Sequence, residues 1–136
     1  MKRFSLVGLA LLAMAVTPVL AQDAIRKEQV QFKKGADSAT IKGSIKGDET
    51  IDYVLSAKAG QSMVVNLKAS NSSAYFNVLP PGSDEAIFIG SSAGSRFEGN
   101  LPADGEYTVR VYLMRNAARR NETAKYTLTV KVAAGR

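Results

Sequence analysis

The sequence contains no cysteine, no histidine and no tryptophan. Each absence removes a class of chemistry. Without cysteine there is no disulfide framework, which many exported domains use, so the fold must rest on apolar burial. Without histidine, Ser-His-Asp and Cys-His nucleophiles are excluded, and zinc and other transition-metal sites lose their usual ligands. Without tryptophan, a sugar-stacking lectin surface loses its best platform. No long apolar run occurs beyond the first twenty or so residues, so no later segment is expected to span a membrane.

The N-terminus does carry a signal. Lys2 and Arg3 are followed by the largely apolar run Phe4 to Val16, which is too short to span a bilayer comfortably. Val19-Leu20-Ala21 then places small residues where a signal peptidase needs them. Residues 1–21 read as a secretory signal peptide cleaved after Ala21, and export to a bacterial periplasm is expected. No cysteine follows that could carry a lipid anchor. Taking 21 residues from 136 leaves 115, spanning 22–136, which suits one domain with one core. Two of the 18 basic residues leave with the signal and none of the 12 acids, so the remainder carries 16 against 12, or +4.

Beyond Lys27 the hydrophobic pattern has period two almost throughout, after a polar stretch from Gln22 to Lys27 that reads as a frayed terminus. Val30 and Phe32 alternate with polar residues, as do Ile41, Gly43 and Ile45. Ile51, Tyr53 and Leu55 share a face, and so do Met63, Val65 and Leu67. Ala74 to Leu79, Ala86 to Ile89 and the region of Phe97 are shorter or weaker runs. Tyr107, Val109, Val111 and Leu113 line the clearest strand, and Tyr126, Leu128, Val130 and Val132 line the last. Turn chemistry separates them: Lys46-Gly47-Asp48, Lys58-Ala59-Gly60, Pro80-Pro81-Gly82 as a type II turn, and Pro102-Ala103-Asp104-Gly105 as a type I turn. The spacing predicts an all-β antiparallel sandwich of about eight strands in a single domain.

Few side chains offer chemistry. Asp48, Glu49 and Asp52 cluster at a turn and strand start, and Asp84 and Glu85 follow a turn. They lack the spacing of a calcium loop and the convergence of a glycosidase pair, and read as solvated turn residues. The hydroxyls at Ser70, Ser72, Ser73, Ser91 and Ser92 have no base to activate them. Asn71-Ser72-Ser73 and Asn121-Glu122-Thr123 match the glycosylation sequon, a chance match in a bacterial exported protein. No catalytic residue, metal site or cofactor is expected, and the chain reads as a non-enzyme.

The remaining feature is basic. From Tyr107 to the C-terminus seven basic residues face one acid, Glu122. An eleven-residue loop from Met114 to Ala124 holds Arg115, Arg119 and Arg120. If Asn116 caps a helical turn there, Arg115 and Arg119 present neighbouring guanidinium forks, each able to grip a carboxylate bidentately. By charge alone a solvated hairpin tip is the stronger reading. A nucleic-acid footprint would need interleaved aromatics and sits badly with export, so no nucleic-acid partner is expected.

Two stretches resemble the periplasmic inhibitors of goose-type (g-type) lysozyme. One is Leu101-Pro-Ala-Asp-Gly-Glu-Tyr107, then Arg110-Val111, Arg115-Asn116-x-Ala118-Arg119 and Lys125-Tyr126. The other is Gly43-Ser-Ile-Lys-Gly47, Tyr53 and Ala57-Lys-Ala-Gly-Gln61, whose last piece is shared with exported sandwich modules of the pre-peptidase C-terminal type. The resemblance implies a β-sandwich inhibitor that plugs an acidic lysozyme cleft, with g-type lysozyme as protein partner. Arg115, Asn116 and Arg119 match the loop motif, and Arg120 joins them by charge alone. Asp48-Glu49 stands where enterobacterial members carry an aromatic-acidic pair. The alternative expectation is a periplasmic accessory module that binds glycan or envelope, with peptidoglycan as its partner.

Overall fold

The computed structural model describes residues 25–134; the signal peptide expected over residues 1–21 lies outside them. Nine strands and two short helices follow one another: β1 (Ile25–Gln29), β2 (Ser38–Lys46), β3 (Thr50–Ala57), β4 (Ser62–Ala69), β5 (Ala74–Leu79), β6 (Phe88–Ile89), α1 (Gly90–Ala93), β7 (Arg96–Asn100), β8 (Gly105–Leu113), α2 (Arg115–Arg119) and β9 (Thr123–Ala133). They form two sheets, ordered β1-β3-β8-β5-β6 and β2-β9-β4-β7. Inward positions of both sheets are apolar because side chains alternate across a strand. Leu55, Phe76, Val109 and Val111 from one sheet meet Ile45, Met63, Val65 and Leu128 from the other, all 1 % exposed or less.

The sandwich is all-β as the alternation predicts, with two departures. The first strand is Ile25–Gln29, not the region of Val30 and Phe32, and it pairs parallel to β3 from Ile25↔Thr50 to Gln29↔Val54. All five of its side chains are exposed. Backbone pairing alone holds it, so it has no hydrophobic period to read, and residues 25–27 are strand where fraying was expected. Val30 is instead the buried residue that follows, its N–H donating to Val54 O at 2.9 Å. The second departure is Asp52, which is no solvated turn residue but a buried strand residue, 6 % exposed.

The turns explain much of the sequence motif. In Ala57-Lys-Ala-Gly-Gln61, Gln61 Oε1 accepts from Lys58 N at 2.7 Å and Gly60 N donates to Leu101 O at 2.8 Å. The bend at Pro102 to Gly105 is held by Tyr107, whose hydroxyl donates to Ala103 O at 2.7 Å and accepts from Ala103 N at 3.1 Å. This side-chain clasp closes the bend without a backbone bond from Gly105 N to Pro102 O among the described residues, as in an open turn.

One polar contact crosses the core. Tyr53 of β3 and Tyr126 of β9 share a buried hydrogen bond of 2.6 Å between their hydroxyls. Tyr126 fits because Gly43 stands opposite it: a Cβ there would lie 2.5 Å from the Tyr126 hydroxyl oxygen. Gly43→Ala should therefore cost about 1–3 kcal/mol, measured by denaturant unfolding, through overpacking.

Burial raises the pKa of both tyrosines above the ordinary value near 10; their shared hydrogen bond then lowers that of Tyr53 and raises that of Tyr126. The unfolded chain therefore loses these protons first as pH rises. The tyrosine contribution should be intact below about pH 10 and fall above it. Tyr53→Phe or Tyr126→Phe alone strands a buried hydroxyl and should cost about 1–3 kcal/mol. The double variant should lose less than the sum of the two, with a flatter melting-temperature profile above pH 10.

Candidate functional site

The arginine loop carries the chain from one sheet to the other, from the end of β8 to the start of β9. Its helical turn is α2, which buries Ala117 and Ala118 and leaves Arg115, Asn116, Arg119 and Arg120 exposed. Two small apolar residues facing the core, flanked by polar ones, account for this orientation. Arg115 and Arg119 are one helical turn apart and so share a side of it. Neither has a carboxylate or hydrogen-bond partner among the described residues.

The other two expected site residues differ. Asn116 is not the helix cap. The helix starts one residue earlier, at Arg115, with Met114 in the capping position and no side-chain cap. Asn116 Oδ1 accepts from Ala117 N at 2.8 Å, inside the turn. Arg120 turns back on its own loop, its Nε donating to Glu122 Oε2 at 2.7 Å.

The loop is tied on two sides. Asn71, in the β4–β5 turn, donates from Nδ2 to Glu122 Oε1 at 2.9 Å and to Thr123 O at 3.2 Å. Gly47, in the β2–β3 turn, donates its N–H to Glu122 O at 2.9 Å. Gly47 has φ 62°, and a Cβ there would lie 2.5 Å from Asn121 Oδ1, so only glycine lets the two segments meet. Of the two sequon asparagines, Asn71 is thus occupied in tying the loop, and Asn121 lies against Gly47 with a left-handed φ of 58°.

These contacts bring Asp48 and Glu49 to the rim of the same groove as Arg115. That groove encloses about 600 Å³ over the outer face of the β1-β3-β8-β5-β6 sheet. In its floor Arg110 grips Asp52 bidentately, Nε–Oδ1 2.7 Å and Nη2–Oδ2 2.9 Å, which raises the pKa of the guanidinium. Beside it the Tyr112 hydroxyl donates to Asn77 Oδ1 at 2.9 Å. Sequence reasoning missed this floor. Asp52 and Arg110 are cross-strand partners, and the only trace of it is that each sits at an outward position of its strand.

The rim is unusually apolar. Ile25, Ile89 and Met114 line it, and they are 50 %, 47 % and 38 % exposed, three of the four large hydrophobic residues exposed among those described. Scattered exposed apolar residues are ordinary, but a group beside a charged loop marks a contact surface. No three His, Cys, Asp or Glu side chains converge as a metal site would require, among the described residues. None of the helices there is long and apolar enough to cross a membrane.

The fold and this arginine-bearing crossover define an exported-type β-sandwich built to present a surface, and comparison with known proteins agrees. No family model matches the chain. It is 33 % identical over 126 residues to the inhibitor of g-type lysozyme of Escherichia coli K12, covering 90 % of this chain and 93 % of that protein. The crystal structure of Aeromonas hydrophila PliG, a periplasmic inhibitor of g-type lysozyme, superposes with a TM-score of 0.76 at 44 % identity, covering 82 % of this chain and 99 % of that one. The pre-peptidase C-terminal domain of a Bacillus anthracis collagenase shares the fold alone, at 20 % identity and TM-score 0.57, covering 83 % and all of the two chains. The chain belongs to the family of g-type lysozyme inhibitors. Its relatives are inhibitor proteins, and it is not an enzyme.

The Glu122 clasp is acid-sensitive. Hydrogen bonds from Asn71 and then Arg120 hold the Glu122 carboxyl below its ordinary pKa. A depressed folded-state value means the contribution is present above the unfolded pKa of about 4.3 and is lost as pH falls through the folded value. Backbone amides from Ala118 to Glu122 should lose protection, measured against their intrinsic exchange rates, in that acid range. In Glu122→Gln they should exchange faster already at neutral pH, with the acid dependence gone.

Proposed function

We propose that this chain is a periplasmic inhibitor that docks on g-type lysozyme, its exposed Arg115 and Arg119 entering the acidic substrate cleft, with residues 1–21 as its export signal. The observation that carries this reading is a pair of guanidinium groups without partners among the described residues, on a helical turn whose other side is buried. A glycosidase cleft holds carboxyl groups around the scissile bond. A guanidinium fork pairs with such a group bidentately and covers it from substrate. Because the loop is already fixed by Asn71, Gly47 and its own helix, little ordering entropy is lost on docking.

The groove beside the loop supplies area to the same contact. Met114, Ile25 and Ile89 offer its apolar surface. Asn116 borders the contact through its free amide. Arg120 acts in this reading by bracing the loop through Glu122.

Arg115→Ala with Arg119→Ala should weaken inhibition of g-type lysozyme about a thousandfold, since each desolvated arginine contact contributes roughly 2 kcal/mol or more. The melting temperature should stay unchanged, because both side chains are exposed. Arg120→Ala should weaken inhibition less than tenfold, within about 1.4 kcal/mol. Undiminished inhibition by the Arg115/Arg119 double variant would refute this mechanism.

A further inference from the structure

A second charged surface lies on the other side of the sandwich, and the docking proposed above does not use it. On the β2-β9-β4-β7 sheet the outward positions form rows set by the strand register. Lys42 and Lys68 flank Thr127 in one row. Lys125 stands in the next, opposite Ser44, with Ser70 bonded to its backbone by a 2.8 Å N–H to O contact. Lys46 and Thr123 continue towards the loop end, and Thr40, Thr129 and Asn66 lie on the far side of the Lys42 row, followed by Lys131. On β2, β9 and β4 the outward residues include five lysines and no carboxylate. Among the described outward strand residues of this sheet the only acid is Glu98 on the edge strand β7, and Arg96 pairs with it at 2.9 Å.

Lys42, Lys68 and Lys125 border a shallow open basin of about 690 Å³. None of the three is in an ion pair among the described residues. Adjacent strands are about 4.8 Å apart and alternate residues of a strand about 7 Å apart, so the ammonium groups are spread as a two-dimensional array.

The chemistry of this face narrows what it can bind. A protein interface needs an apolar core, and among the outward residues of β2, β9 and β4 only Val64 and Ala133 are apolar, both outside the basin. A glycan strand would find no exposed aromatic platform, since Tyr126, the aromatic residue lining the basin, points inward and is only 4 % exposed. Lysine is a compact point charge that takes phosphate oxygens without demanding one geometry, and the intervening serine and threonine hydroxyls can donate to the same oxygens. An array of separated positive charges on an open face suits an array of phosphates on another open face.

We propose that the outer face of the β2-β9-β4-β7 sheet docks electrostatically on the phosphate headgroups of an anionic phospholipid bilayer. Nothing on this face inserts, so the attachment is peripheral and reversible. It leaves the Arg115 groove, on the opposite sheet, turned away from the membrane.

The test is co-sedimentation of the purified exported protein with phosphatidylcholine vesicles, with or without phosphatidylglycerol, and with peptidoglycan sacculi. Binding should require phosphatidylglycerol and fall steeply between low and physiological ionic strength. Each lysine near such a surface is worth about fivefold in affinity, so Lys42→Gln/Lys68→Gln/Lys125→Gln should bind about a hundredfold more weakly. The same three positions changed to arginine should retain binding. The melting temperatures of both variants verify folding without reference to lysozyme, and any lysozyme inhibition the parent shows should be unchanged in both. Equal binding to neutral vesicles, unchanged binding by the glutamine variant, or pelleting with sacculi but not with vesicles would overturn the proposal.

Discussion

The two sheets of this molecule meet over a core that has no covalent link across it, and the hydroxyl pair of Tyr53 and Tyr126 is the polar contact that spans the gap. A hydrogen bond in the low-dielectric interior has a directionality that apolar contact lacks. It sets where β3 lies relative to β9. Gly43 makes room for it on β2, the strand beside β9, and so ties the register of β2 and β9 to the same point. β9 begins at the arginine loop and β3 begins at the Gly47 turn, so the two segments that build the candidate site are placed by strands whose relation is fixed inside the core.

From that frame the site follows as a consequence of the connection between sheets. A chain leaving the inner face of β8 must cross the open end of the sandwich to reach β9. Ala117 and Ala118 close that end, and the polar residues of the same turn are forced outward. The Arg110–Asp52 pair on the outer sheet face and the Arg115–Arg119 pair above it thus differ in kind. The first guanidinium is already satisfied by a carboxylate of its own chain, whereas the second two are without one among the described residues. Charge alone would have grouped all four of the nearby arginines; geometry separates Arg115 and Arg119 from Arg110 and Arg120.

Much of this was legible in the residues. Strong alternation gave away β8 and β9, whose inward sides are Tyr107 to Leu113 and Tyr126 to Val132, and the glycine-bearing turns marked most of the breaks between strands. The family was legible through the Arg115-Asn116-x-Ala118-Arg119 motif. What escaped was held by contacts between distant segments. β1 has no apolar period because its backbone alone is paired. Asp52 looked like a turn residue because its partner lies 58 residues away. Asn116 looked like a helix cap because asparagine favours that position, but the helix begins a residue sooner. Of the two sequon asparagines, Asn71 ties the loop through Glu122 and Thr123, and Asn121 takes the left-handed backbone position that ends its turn.

The parallel strand at the sheet edge has a practical corollary. Ile25 is both the first residue of β1 and part of the groove rim, so whatever is joined ahead of it enters the molecule beside the arginine loop. β9 also starts at this end and carries the chain away from it, from the loop at Thr123 to Ala133, about 34 Å along the strand. An affinity tag or fluorescent label at the N-terminus would crowd the contact surface, whereas one at the C-terminus would stand at the opposite end of the sandwich.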